Sequence, residues 1–200
     1  MRVKDEMRSF ASLKMTKGAN MKNKKNKGFT MVELLVTLGI SAMVMGLIFS
    51  FFITNYKSYK SIGNDSELNF HAQYILNFMA DKIINSNSVS LVKADNTTYY
   101  SMSSVRNAET EYVVKKISFK YGSEIDKNYV FHVVDNVIRY GNGKNDMNPS
   151  VELGNFVDSV YISLLKDESF QNTNAVKIKI IMKKDGQIYE AFQAACMRNN

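Results

Sequence analysis

Cysteine is almost missing from this chain. Its 200 residues hold one, Cys196, so no internal disulfide can form, and no CxxC pair or Cys/His cluster is present to hold zinc. The two histidines, His71 and His132, stand apart from any HExxH or GxSxG pattern. Gly143-Lys144 lacks the upstream glycine and following Ser/Thr of a phosphate-binding loop, and the aspartates between 135 and 146 do not keep EF-hand spacing. These absences predict no catalytic residues, no metal and no cofactor. Proline occurs once, at Pro149. Net charge is also missing from most of the chain. Residues 1–28 carry 9 basic and 2 acidic side chains, which is the whole formal charge of +7, and the other 172 residues hold 17 of each sign. A general polyanion-binding domain therefore loses its support. With 45% apolar residues, the chain is equally unlike a disordered tail.

What the chain does have is one long apolar run. Phe29 to Ile53 is 25 residues with a single formal charge, Glu33, and no proline. As a helix, its last 20 residues would span roughly 30 Å, the hydrocarbon thickness of a bilayer. Lysines crowd its N-terminal side, while Lys57 and Lys60 alone follow it closely, so the expected topology is single-pass with the N-terminus in the cytoplasm. Bulky or charged residues after Ile53 disfavour ordinary signal-peptidase cleavage.

Beyond the run the helical period persists. Phe52, Tyr56, Tyr59 and Ile62 recur at three- and four-residue steps, then Leu68, Ala72, Ile75, Met79 and Ile83 do so on a face shared with Phe78, with Lys60, Asp65, Glu67, Asp81 and Lys82 as polar counterparts. Gly63-Asn64 is a possible interruption. After residue 88 the period falls to two. Val113, Ile117, Phe119 and Tyr121 oppose Lys116, Ser118 and Lys120, and Val176, Ile178, Ile180 and Met182 oppose Lys177, Lys179 and Lys183. Asp185-Gly186, ahead of Ile188, Glu190, Phe192 and Ala194, predicts a two-residue type I′ hairpin, and Asp135-Asn136 predicts another. Val157 to Leu165 reads as a strand, 89–103 as one or two short strands, and 141–146 as a surface loop. The expected fold class is α+β: a long N-terminal helix, apolar then amphipathic, packed on a mostly antiparallel β-sheet. Its expected divisions are a leader at 1–28, a transmembrane helix at 29–53, an amphipathic continuation at 54–88 and a β-rich part at 89–200.

The junction Lys27-Gly28-Phe29-Thr30-Met31-Val32-Glu33-Leu34-Leu35 joins a basic leader ending in glycine to an aromatic that begins the helix, with an acid five residues in. It resembles the cleavage and methylation signature of type IV prepilins and pseudopilins, and the rest of the chain follows the type IV pilin-like outline. The resemblance implies that a prepilin peptidase cuts between Gly28 and Phe29 and that Phe29 becomes the N-methylated first residue. Glycine before the scissile bond leaves an extended backbone unobstructed, and the cut would discard the +7 that pins the segment to the cytoplasmic face. It implies a structural subunit, not an enzyme, with other pilin subunits, a pilus assembly platform and the cytoplasmic membrane as partners, and DNA only in a competence pilus.

A carboxylate in an apolar helix costs on the order of 2.5–3.5 kcal/mol on insertion scales, so Glu33 needs a partner. The resemblance offers the new amine of Phe29 on a neighbouring subunit. Gly39, Ala42, Gly46 and Ser50 form a stripe of small residues suited to close helix packing. Many major pilins carry a kinking proline near the place of Ser50 and a C-terminal disulfide; this chain has neither, which points to a minor pilin. Two starts stay open, because Met21 would begin an eight-residue leader, MKNKKNKG, of the usual kind, making residues 1–20 an upstream extension. Lys177, Lys179, Lys183 and Lys184, with Tyr99 and Tyr100, are where DNA contact would be sought. Motility or adhesion, DNA uptake and type II secretion remain equal choices. A helix that never leaves the membrane, anchoring an extracytoplasmic binding or sensor domain, is the alternative.

Overall fold

The structure, a computed structural model, describes residues 28–198. The basic leader ahead of Gly28, both proposed starts and the final two asparagines lie outside the described residues. Among the described residues one helix, α1 (Met31–Ile84), precedes nine strands, so the class is α+β. The strands are β1 (Ser88–Lys93), β2 (Tyr112–Val113), β3 (Lys116–Lys120), β4 (Asn128–Val134), β5 (Val137–Gly143), β6 (Val151–Gly154), β7 (Val157–Leu164), β8 (Ala175–Lys184) and β9 (Gln187–Cys196).

The chain divides after Ser50 into two compact units. In the first, every described residue is exposed, including the large apolar side chains from Phe29 to Phe49. Thr37 turns its hydroxyl back to the carbonyl of Leu34 at 2.9 Å, so this polar side chain is satisfied within the helix.

In the second unit α1 continues through Gly63 and Asn64 without a break. Phe52, Tyr56, Tyr59 and Ile62 stay exposed, whereas Leu68, Ala72, Ile75, Leu76, Met79, Ala80 and Ile83 are buried, as their three- and four-residue spacing requires of one face. Full burial of such Leu, Ile and Met side chains contributes about 1.5–3 kcal/mol each. Phe78 flanks this face, edge-on to Tyr140 at 4.9 Å and Phe131 at 6.4 Å. The helix ends where Asn85 and Ser86 turn their side chains back to the carbonyls of Asp81 and Ile83.

The strands form two antiparallel sheets, where the period suggested one. A five-stranded sheet runs in the order β1-β3-β4-β5-β6 and a four-stranded sheet in the order β2-β7-β8-β9. The run at 113–121, which alternates as a single strand, is shared between them. Val114 donates its N–H to Val160 of β7 at 2.8 Å, and Lys115 donates to Lys93 of β1 at 2.9 Å, so the chain changes sheet within one residue. Val113 is in consequence exposed and Val114 buried. One hydrophobic core joins the helix face to Phe119, Phe131 and Ile138 of the first sheet and to Val160, Ile162, Ile178 and Ile180 of the second.

Both hairpin turns form where the sequence places them. Asp135 and Asn136 have φ of 51° and 62°, Asp185 and Gly186 of 49° and 83°, the positive pair that a type I′ turn needs. The second turn also sets the facing of β9. It pairs Met182 with Tyr189 and Ile180 with Ala191, and directly opposed residues share a face. Tyr189, Ala191 and Ala195 therefore pack inward, while Ile188, Glu190, Phe192 and Ala194 are exposed.

This hairpin is tied to α1 by polar groups. Lys60 pairs with Asp185 at 3.1 Å, Asn64 donates to Asp185 at 3.4 Å, Tyr189 donates to Asn69 at 2.9 Å, and Lys184 and Gln187 reach Glu67 and Ser61. Lys60 and Glu67, polar counterparts in the helical pattern, thus hold the hairpin to the helix.

Candidate functional site

The residues singled out for processing lie at the start of α1. Gly28, Phe29 and Thr30 are exposed and not helical, and Phe29 is 69% accessible. The helix begins at Met31 because Thr30 caps it. The Thr30 hydroxyl oxygen accepts the N–H of Glu33 at 3.2 Å, and its carbonyl accepts the N–H of Leu34 at 3.1 Å. Thr30-x-x-Glu33 has the spacing of a capping box, with the acid in the first turn, where the helix dipole favours negative charge. That threonine was not among the residues expected to matter, although its spacing from Glu33 is a readable signal. The Gly28–Phe29 bond thus sits in open, non-helical backbone two residues ahead of the first helical residue.

Gly39, Ala42, Gly46 and Ser50 follow along the first unit, all exposed. A Cβ added at Gly39 or Gly46 would meet nothing within 4 Å, so the stripe offers open surface to a neighbouring helix. By length and composition α1 is long and apolar enough to cross a membrane, with none of its most apolar stretch buried.

Residues 23–49 match the prokaryotic N-terminal methylation motif. The match starts within the basic leader and closes one residue before Ser50, so it contains Gly28, Phe29 and Glu33. This motif is the type IV prepilin signature, and it implies processing by prepilin peptidase and assembly with other pilins. Motif and apolar helix together fit membrane anchoring. No curated protein and no solved structure matches the chain.

The remaining residues of interest lie in the second unit. Of the lysines suggested for DNA contact, Lys179 is held by Glu111 at 3.0 Å and Glu190 at 3.5 Å, and the Glu111 hydrogen bond raises its pKa. Lys184 is paired with Glu67, and Lys177 lies 4.5 Å above the Phe192 ring. Tyr100 belongs elsewhere: it packs with Tyr112 and Phe170 around the Arg106 guanidinium, 4.6–5.2 Å from the three rings. His71 on α1 packs edge-on to Phe70 and Phe156. His132 in β4 is held neutral down to about pH 4 by burial and by the charges of Lys116, Lys93, Arg139 and Lys115. Among the described residues no group of three or more His, Cys, Asp or Glu side chains is placed to share a metal ion.

Proposed function

We propose that this protein is a minor structural subunit of a type IV pilus or related filament, without an active site of its own. It is made as a membrane-anchored precursor with its N-terminus in the cytoplasm. Prepilin peptidase cuts it between Gly28 and Phe29, Phe29 is N-methylated, and the mature helix passes from the membrane into a bundle of pilin helices in a filament outside the cell. DNA is a partner only if that filament is a competence pilus.

The observation that carries this reading is the methylation motif lying across an exposed, non-helical Gly28–Phe29 bond. Two further features support it. The exposed apolar surface of residues 31–50 needs lipid or other helices, because water penalises it at about 25 cal/mol per Å². Glu33 stands five residues into the predicted mature chain, where the ammonium of a neighbour's Phe29 would compensate its charge in a medium of low dielectric. The stripe from Gly39 to Ser50 lets such neighbours approach closely.

Mass spectrometry of the native protein tests the reading directly. A chain beginning at N-methylated Phe29 is the expected result. A mature chain that keeps the residues before Gly28 ends the filament reading and leaves a permanently anchored extracytoplasmic binding or sensor domain. Glu33→Ala is expected to leave cleavage intact and to lower incorporation into sheared filaments about tenfold or more. Incorporation equal to wild type removes the role given to that carboxylate.

A further inference from the structure

The outer face of the five-stranded sheet carries a row of basic residues that the sequence does not reveal, because its members come from four strands. Lys93 of β1 lies opposite Lys116 of β3, Lys116 opposite His132 of β4, and His132 opposite Arg139 of β5, with Glu152 of β6 at the end. Directly opposed residues share a face, and like charges so placed destabilise a sheet. The second sheet pairs Lys179 with Glu111 and Glu190; in this row Glu152 lies opposite Arg139 and the Asp146 carboxylate acts on Lys116, but neither forms an ion pair among the described residues. Among the described residues neither Lys93 nor Arg139 makes an ion pair, and Lys93 only covers the Tyr99 ring at 4.2 Å. Lys116 is 5% exposed, and its ammonium donates to the carbonyls of Asp146 and Met147 and to the Asn148 side chain, none of them charged.

The segment 144–149 that supplies those acceptors folds over the sheet. Gly141 permits this, since a Cβ there would stand 2.9–3.2 Å from Met147 and Pro149. Between the segment, the row and the turn at Asp95-Asn96 an open cavity of about 540 Å³ remains, the size of a small-ligand site. Of its two acids, Asp95 is committed, accepting the N–H and hydroxyl groups of both Thr97 and Thr98. The lining thus has two cations, Lys93 and Arg139, that form no ion pair among the described residues, amide groups at Asn96 and Asn148, a carboxylate at Asp146, and the His132 imidazole, with no Phe, Tyr or Trp ring.

We propose that this cavity binds one anionic saccharide unit, a hydroxyl-rich ring bearing a carboxylate or a phosphate. Arg139 and Lys93 take the anionic oxygens. Asn96, Asn148 and the Asp146 carboxylate take the hydroxyls. Neutral His132 contributes a hydrogen-bonding nitrogen, and the wall of Val134 and Pro149 receives the ring's apolar face. The site stands independently of the filament reading.

The test is calorimetric titration of the full chain in a polyoxyethylene detergent with glucuronate, glucose 6-phosphate, glucose, inorganic phosphate and a short single-stranded oligonucleotide. Glucuronate or glucose 6-phosphate is expected to bind, and which of them binds tells carboxylate from phosphate. Glucose alone is expected not to bind. Arg139→Gln and Lys93→Gln are each expected to weaken binding about tenfold, the loss of one charge-assisted hydrogen bond, while Lys177→Gln on the other sheet leaves it unchanged. Unchanged unfolding midpoints show that these substitutions of half-buried side chains spare the fold. Absence of binding overturns the proposal. So does equal binding of glucose, which removes charge recognition, or of inorganic phosphate, which removes the ring. Tighter binding of the oligonucleotide reassigns the cavity to nucleic acid and overturns it as well.

Discussion

Two stretches of α1 share one backbone conformation and differ in almost everything else. From Met31 to Ser50 every residue is exposed although most are apolar; from Asn64 to Ile83 Leu68, Ala72, Ile75, Leu76, Met79, Ala80 and Ile83 keep to one buried face, and Phe70 and Tyr74 are left exposed. Helix formation alone therefore says little about what a helical segment is for. The circumference of the first stretch matches a lipid or helical surrounding, and the amphipathic division of the second matches a partner inside its own fold.

The largest way to break this comparison is to place a carboxylate in each stretch. Ile75→Asp should abolish folding of the β-rich part, because an unpaired charge enters the centre of the core, whereas Leu38→Asp should leave that fold intact and impair membrane insertion by about 2.5–3.5 kcal/mol. Near-ultraviolet circular dichroism in detergent reads the first effect and membrane fractionation the second. Equal loss of fold in both variants would erase the distinction.

A smaller effect sharpens it at one contact. A Cβ at Gly154 of β6 would stand 2.9 Å from Ile75 Cδ1, so Gly154→Ala should cost about 1–3 kcal/mol in denaturant unfolding as the helix is pushed from the sheet. Gly63 presents the opposite case. A Cβ there meets nothing within 4 Å, and the helix is unbroken, so Gly63→Ala should raise stability by about 0.5–1 kcal/mol in the same assay. Destabilisation would show that the backbone there needs glycine.

The smallest effect concerns acid. Asp185 has its pKa lowered below 3.8, chiefly by the hydrogen bond and charge of Lys60 and then by Asn64. A depressed carboxylate stabilises the fold fully above the unfolded pKa and ceases to do so as pH falls through that value toward the folded one. Thermal unfolding midpoints should accordingly drop somewhat more steeply below about pH 4 for wild type than for Lys60→Gln. Parallel profiles would show that this exposed pair adds nothing to the docking of helix and hairpin.

Local rules made much of this molecule readable. The apolar run, the buried helix face and both type I′ turns depend on residues within a few positions of one another, and Thr30-x-x-Glu33 was equally local though overlooked. What escaped depends on neighbours distant in sequence. Lys116 and Ser118 alternate as solvent-facing residues should, yet are buried because segment 144–149 lies across them. The change of sheet at Val114-Lys115 has no turn residue to announce it, and the basic row exists only once four strands are in register. The first members of the methylation motif are a pattern of identities, legible without any structure.

Lys116 Nζ has one more consequence. It is the common point of three bonds to Asp146, Met147 and Asn148, so it works as a rivet through a flap. Lys116→Met would release the three together, and the flap would lift as a single piece.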